Sequence, residues 1–417
     1  MRGTTAWASA TVAALVASAA PLAAQRPACA PDNAGLTLPS GFCALVMADS
    51  LGRARHLTVA PNGDVFVAAP SREQGGGVWV LRDTDGDGVA DVRRLFLADP
   101  QAADVHVRTA GPRSWVYYAT YREIIRLPWT PGSLEASGPP DTVARDLAGA
   151  RQHGIKTFTL GEGNQLFVNH GAPSNSCQRD DRQPRSPGMD PCPLLDTTGG
   201  IWLFDADRLG QTGADGQRYA TGLRNTVALA VRAADRSLYG AVHGRDVLGA
   251  TWGFNDTASA EKPSEEFVRI TQGTDVGWPY CYHDPALGRK VLSPEYGGDG
   301  TAVGRCAEKQ APLIAFPAHW APNGLLFYTG SSFPTRFRDG AFIAFHGSWN
   351  RAPLPQQGFK IVFVPFAGDA AGSWEVFADG FQAQRSRPVD VAQGPDGSLY
   401  VSDDGRGRVY RIVYRGR

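Results

Sequence analysis

Short apolar runs that alternate with polar positions, broken by tight turns, recur along the whole chain. The clearest copy reads His-Leu-Thr-Val-Ala-Pro-Asn-Gly-Asp-Val-Phe-Val-Ala from His56 to Ala68. It returns as Val-Asp-Val-Ala-Gln-Gly-Pro-Asp-Gly-Ser-Leu-Tyr-Val-Ser-Asp-Asp from Val389 to Asp404. Alternation on both sides of Pro-Asn-Gly or Pro-Asp-Gly predicts a β-hairpin: the turn residues tolerate positive φ, and each flanking run can bury one face. Looser copies begin at Val105, Lys156, Thr226 and Gly324, giving six hairpins in all. Most lead into a further apolar run, such as Val78–Leu81, Ile124–Leu127, Ile201–Phe204 and Phe267–Ile270.

Small antiparallel sheets repeating at roughly 50-residue intervals predict an all-β fold, a six-bladed β-propeller. The run Phe42–Met47 is expected to complete the last blade and close the ring. No stretch carries the 3.6-residue periodicity that an α/β alternative requires. Residues 25–417 therefore read as one domain. Two Gly/Pro-rich stretches, 172–198 and 245–320, are too long for ordinary connections and are predicted as long loop inserts, where function concentrates.

Charge narrows the partners. Lys+Arg and Asp+Glu each number 41, which excludes nucleic acid and an acidic membrane surface as expected partners. Arg2, the Ala-rich run from Ala6 to Ala20 and the small residues Leu22-Ala23-Ala24 read as a signal peptide over 1–24. No later segment is apolar enough to span a bilayer, so stable membrane insertion is not expected. Export, to a periplasm or beyond the cell, suits disulfides among the six cysteines. Local pairs are expected: Cys29 with Cys43, Cys177 with Cys192, and Cys281 with Cys306; none shows zinc-ligand spacing.

Seven of the eight histidines occupy one place in the repeat. His56, His106, His153 and His319 open first strands, and His170, His243 and His346 close second strands, which is the same end of a hairpin. That end of the molecule is predicted to carry the chemistry. The segment Asp83, Asp85, Asp87, Asp91 has oxygen ligands at alternate positions, like the first half of a Ca²⁺ loop, but Arg94 stands where the closing Glu belongs. A structural Ca²⁺ site and a plain polar turn on the rim both remain open.

Gln152-His153-Gly154, Gly222-Leu-Arg-Asn225, His243-Gly-Arg-Asp-Val-Leu-Gly249, Gly277-Trp-Pro-Tyr-Cys-Tyr282, Ala344-Phe-His-Gly-Ser-Trp-Asn-Arg351 and Arg387-Pro-Val-Asp390 stand in a telling order. Over roughly residues 38–415 the chain resembles the glucose/sorbosone dehydrogenases, soluble sugar dehydrogenases dependent on pyrroloquinoline quinone (PQQ), and is closest to the sorbosone dehydrogenase-like branch. The resemblance implies a propeller that holds PQQ and Ca²⁺ at one face, oxidises an aldose or related sugar, and passes electrons to an external acceptor. It implies His153 as the base that takes the hydroxyl proton, with Arg224 and Asn225 donating to the quinone oxygen. It places Ca²⁺ on the backbone carbonyls of Gly244 and Arg245, and Arg387 on a PQQ carboxylate. Arg351 is expected to substitute for a lysine that the glucose enzymes set against PQQ and that none of the five lysines here matches. His319 and His346 are candidates for cofactor contact or for structural hydrogen bonding. Trp320 and Trp349 are candidates for stacking or for inter-blade core. Two rival functions stay in view: a Ca²⁺-dependent sugar lactonase, which needs carboxylates converging on the axis, and a non-catalytic propeller that binds glycans or a protein.

Overall fold

Each predicted hairpin forms the two innermost strands of a sheet, because its turn residues set the register and its alternation buries both faces against neighbouring sheets. The computed structural model describes residues 27–71, 75–149 and 152–416, with residues 1 and 3, so the expected leader falls almost wholly outside the described residues. The inner strands are Leu57–Val59, Asp104–Ala110, Phe158–Leu160, Ala228–Arg232, Pro322–Phe327 and Pro388–Gln393, and they define blades 1 to 6 in that order. Each touches the next, and the sixth touches the first, so they form a closed ring around an axis. Phe42–Ala48 pairs antiparallel with Arg408–Tyr414 and supplies the outer strand of blade 6, as the sequence predicts.

Aromatic and aliphatic side chains fill the wedges between blades. Phe42 from the closing strand packs edge-on against Phe333, Phe337 and Phe377 of blade 5, which fastens the ring apolarly. Near the axis the blades are tied by carboxylates. Asp104 of blade 2 accepts a hydrogen bond from Phe158 N of blade 3 (2.9 Å), and Asp390 of blade 6 accepts one from Leu57 N of blade 1 (3.1 Å).

The inserts sit where the pattern breaks, and three disulfides with the expected pairing clip them and the N-terminal segment. Residues 245–320 are not one loop, however. They include the two outer strands of blade 4, Glu265–Ile270 and Ile314–Phe316, and two short helices, Leu248–Trp252 and Asp256–Glu261. The inserts also hold each other: Arg305 pairs with Asp190 at 2.6 Å, and Trp278 Nε1 donates to the Asn175 carbonyl at 2.9 Å. Among the described residues, no helix is long and apolar enough to cross a membrane.

Candidate active site

Where the chain enters the inner strands, the ring opens into a cavity of about 360 Å³. His153, Arg224, Asn225, His243, His319, His346 and Arg387 all line it, although they come from blades 3 to 6. The sequence gathers four of its seven repeat-end histidines here. The other three lie elsewhere: His56 and His106 face a lower chamber on the axis, and His170 stacks on Trp202 at 4.5 Å, away from the cavity.

His153 sits in the left-handed region (φ 51°), a conformation that costs a non-glycine residue about 1–3 kcal/mol and is kept only when the surroundings enforce it. Gly171 permits this approach: a Cβ there would lie 2.6 Å from both the Cβ and the carbonyl oxygen of His153. Nδ1 of His153 donates to the Ala172 carbonyl at 2.6 Å, which fixes the tautomer and leaves Nε2 as a bare acceptor with no protein partner among the described residues. Burial, then the Arg224 guanidinium, pushes its pKa down to about 3, so the ring is neutral and unprotonated near neutrality.

Arg224 is 3% exposed and almost fully engaged. Nε donates to the Asn175 carbonyl (3.1 Å), Nη1 to the Gly244 carbonyl (2.8 Å), and Nη2 to Asn175 Oδ1 (3.0 Å) and Asp246 Oδ2 (2.9 Å). It is therefore first a strut between blade 4 and the inserts, with one Nη1 hydrogen left for a ligand. Asn225 Oδ1 accepts from Asn169 Nδ2 (3.1 Å), so its own amide hydrogens remain for the cavity.

Three charged groups at the cavity were missed in the sequence. Asp246 binds Arg224, Arg182 and Asn350, each at 2.9 Å; burial opposes its ionisation, but Arg224 and Arg182 outweigh burial and hold its pKa well below the usual range. Glu265 accepts from Gly244 N (2.8 Å) and Ala321 N (3.2 Å), and burial raises its pKa to about 7. Arg55 pairs with Asp404 at 2.9 Å, and its Nε is buried without an acceptor. Asp246 lies within the His243–Gly249 motif, whereas Arg55 and Glu265 lie outside the motifs, where position at the repeat end was the only available signal.

The remaining expected residues divide. Arg387 donates from Nε to the His346 carbonyl (3.2 Å) and from Nη2 to the Gly347 carbonyl (2.8 Å), and Nη1 has no acceptor among the described residues. His346 Nε2 bonds Asp404 at 2.8 Å, which leaves Nδ1 open. His319 has both ring nitrogens engaged, with Ser259 O at 3.0 Å and Asn350 Nδ2 at 3.3 Å, and so serves as a structural link. Arg351 does not reach the cavity. It is 1% exposed and donates to the Ala260, Ala318 and Pro355 carbonyls and to Glu261, because the short helix Asp256–Glu261 presents carbonyls that need donors. None of the five lysines lines the cavity, so no cation takes that expected place. Trp320 is core, packed on Phe345 and Trp374, whereas Trp349 is 65% exposed at the cavity mouth, with Tyr121 also lining it.

Of the backbone pair expected to hold Ca²⁺, Gly244 lines the cavity and Arg245 does not. Arg245 is drawn into a separate internal pocket by an ion pair with fully buried Glu295. The uncommitted oxygen at the cavity is instead Asn350 Oδ1, which is buried without a hydrogen-bond donor. On the rim of blade 1, the carboxylates of Asp83, Asp85 and Asp91 lie within 4.8 Å of one another, while Asp87 turns away to accept from Val89 N at 2.7 Å.

A propeller face with cations from several blades around a polar cavity is the arrangement that the sequence motifs imply. A match to the TrAA12-like family runs over residues 36–415. The chain belongs to the TrAA12-like family. It is 31% identical over 204 residues to an uncharacterized protein of Borreliella burgdorferi, covering 47% of this chain and 48% of that one. It is 28% identical over 261 residues to a pyrroloquinoline quinone-dependent pyranose dehydrogenase of Coprinopsis cinerea, covering 51% of this chain and 34% of that one. The matches thus span half or less of these curated relatives. Among solved structures, a family AA12 carbohydrate-active enzyme of Trichoderma reesei superposes with a TM-score of 0.76 at 19% identity, covering 91% of this chain and 98% of that one. The holo PQQ domain of Coprinopsis cinerea pyranose dehydrogenase gives 0.74 at 20%, covering 94% and 99%. At such identities these likenesses establish the fold.

The buried histidines of this TrAA12-like chain make it acid-labile. Burial lowers His153 and His170 to about 3 and His243 to about 4. An unfolded histidine binds its proton near pH 6.5, so the unfolded state takes up protons first, and the stability these groups allow is whole above that pH and lost as pH falls toward their folded values. At pH 5 each costs on the order of 2 kcal/mol. His106 and Glu265 have the opposite sign: at His106 Asp104 outweighs burial, and burial raises Glu265 to about 7, but these two do not offset six lowered histidines. Thermal unfolding at pH 7 and pH 5 should show a Tm lower by several degrees at pH 5; an unchanged Tm would contradict the burial of neutral rings.

Proposed function

We propose that this TrAA12-like chain is an exported PQQ-dependent sugar dehydrogenase that oxidises the hemiacetal or aldehyde carbon of an aldose or sorbosone-like sugar and delivers electrons to an external acceptor. The observation that carries the reading is the juxtaposition of a tautomer-locked imidazole and unspent guanidinium donors around one cavity. PQQ is a flat ortho-quinone with three carboxylates, and the lining suits it. Arg55 Nε is buried without an acceptor, Arg387 keeps Nη1 free, and Asn225 keeps its amide hydrogens. The volume of about 360 Å³ is that of a small-ligand site. Asn350 Oδ1, buried without a hydrogen-bond donor, suits Ca²⁺, a hard cation, whereas Gly244 O already accepts from Arg224 Nη1 at 2.8 Å.

When bound, PQQ supplies the two-electron acceptor and Ca²⁺ polarises its carbonyl. The chain supplies the rest. His153 Nε2 accepts the sugar hydroxyl proton, and the Ala172 carbonyl, holding Nδ1–H, stabilises the imidazolium that results. Arg387 and Arg55 hold carboxylates, and Asn225 with the last Arg224 hydrogen donates to oxygen where negative charge develops. Trp349 and Tyr121 offer apolar faces at the mouth for a pyranose ring.

A lactonase reading needs carboxylates that converge on a metal. Asp246 and Glu265 do border the cavity, which the sequence did not lead one to expect, but Arg224 and backbone amides respectively occupy them. The only acidic triplet close enough to share an ion, among the described residues, is on the rim of blade 1. Titrating the protein with PQQ in Ca²⁺ should show saturable binding of one cofactor per chain by absorbance, and a raised Tm. Bound cofactor should bleach when an aldose is added. Absence of binding would favour a non-catalytic binding propeller.

A further inference from the structure

Beneath the cavity lies a second chamber of about 340 Å³, lined by all six inner strands and so coincident with the propeller axis. Val227 and Asn323 line both spaces and form the neck between them. Asn323 stands at a β-bulge, where the pairing of Pro322 with Phe345 shifts to Gly324 with Ala344. Bulges re-aim a side chain. Here the bulge leaves the amide of Asn323, 4% exposed, with no protein partner among the described residues. A second bulge, between Pro388 and Val391, carries Asp390.

Below the neck the polar groups form a line. Asp390 Oδ2 lies 3.3 Å from His56 Nδ1, His56 Nδ1 lies 3.9 Å from Asp104 Oδ1, and Asp104 Oδ1 lies 3.5 Å from His106 Nε2. These groups do not form a cage: no three of their ligand atoms come within mutual reach of one ion. His56 Nε2 is buried without a partner. At 3.3–3.9 Å these groups lie at or just beyond direct reach of one another, and the chamber they line holds about ten waters at roughly 30 Å³ each.

We propose that this axial chamber is the proton outlet of the site, running from Asn323 through His56, Asp390 and Asp104 to His106 and the far face. The proposal rests on the dehydrogenase reading. Oxidising a sugar CH–OH to C=O breaks one C–H and one O–H bond and yields two electrons and two protons. With an acceptor that takes electrons only, such as ferricyanide, two ferricyanides are reduced and both protons must leave. The mouth is where the sugar enters; the axis is a second route, already lined with proton-accepting groups.

The direct test uses the apo-protein with labelled histidine. Magnetisation transfer from water to the His56 and His106 rings is expected in NMR spectra, and a dry chamber with no transfer overturns the outlet. The kinetic test uses His106→Gln in the PQQ- and Ca²⁺-loaded protein. Bleaching of the cofactor by sugar under anaerobic conditions should match the parent, while turnover with ferricyanide falls roughly tenfold and recovers with added imidazole. Parental ferricyanide turnover in His106→Gln overturns the outlet alone. Failure of any sugar to bleach PQQ in the parent protein overturns the dehydrogenase reading, and the outlet with it.

Discussion

His153→Ala is expected to lower kcat by about 10²–10⁴-fold while leaving the PQQ titration within a few-fold of the parent. The asymmetry follows from what the ring touches. Among the described residues its single protein bond is Nδ1 to the Ala172 carbonyl, and its other nitrogen has no partner there. Removing it takes away a proton acceptor but no cation, and PQQ is held by cations. The loss should fall on the step in which the hydroxyl proton moves, so single-turnover bleaching of PQQ slows as much as kcat does. The pH profile gives a second check. Burial and Arg224 hold the free ring at about 3, and a polyanionic cofactor beside it moves that value back up. The acid limb of the loaded enzyme should therefore lie between about 3 and the ordinary histidine value of about 6.5. An alanine variant that keeps turnover within about threefold of the parent would remove His153 from the base role.

The fold was legible because its signal is repetition. Six copies of one hairpin leave little choice of architecture, and a wrong reading of one copy does not disturb the others. Even the closing strand at Phe42 could be placed, since a ring of sheets leaves one unfilled edge. The segment 245–320 was less legible. Its Gly/Pro content masked the outermost strand of blade 4, Ile314–Phe316, which is short and separated from the legible run at Phe267–Ile270 by a disulfide-clipped hairpin.

The candidate site was legible where residues fall at the repeat end, and obscure where a long side chain chooses among carbonyls. His153, Arg224, Asn225 and Arg387 converge on one cavity as their place in the repeat implies. Arg351 stands in an equally suggestive motif, yet its guanidinium turns to the carbonyls of Ala260, Ala318 and Pro355. Backbone carbonyls left open at the end of a short helix leave no mark in the sequence, so no pattern distinguishes Arg351 from Arg387.

Asp246→Ala is expected to destabilise the protein by about 3–5 kcal/mol, the largest stability loss at the site. Its carboxylate binds Arg224 and Arg182 at 2.9 Å, and holds Asn350 in place at the same distance. Arg224 is 3% exposed, so deleting its one carboxylate partner among the described residues leaves a buried charge hydrogen-bonded to neutral groups. Breaking such a pair costs more than the pair itself contributes, because the remaining ion cannot return to water. Asp246→Asn should cost less, since an amide oxygen still accepts from Arg224, although its NH₂ now faces Arg182. Urea unfolding of the three proteins should rank them parent, Asn, Ala. PQQ affinity should fall in the same order, because Asp246 anchors Arg224 and Asn350, which line the cavity from separate blades. An alanine variant within about 1 kcal/mol of the parent would mean that water reaches Arg224 and takes the place of the lost carboxylate.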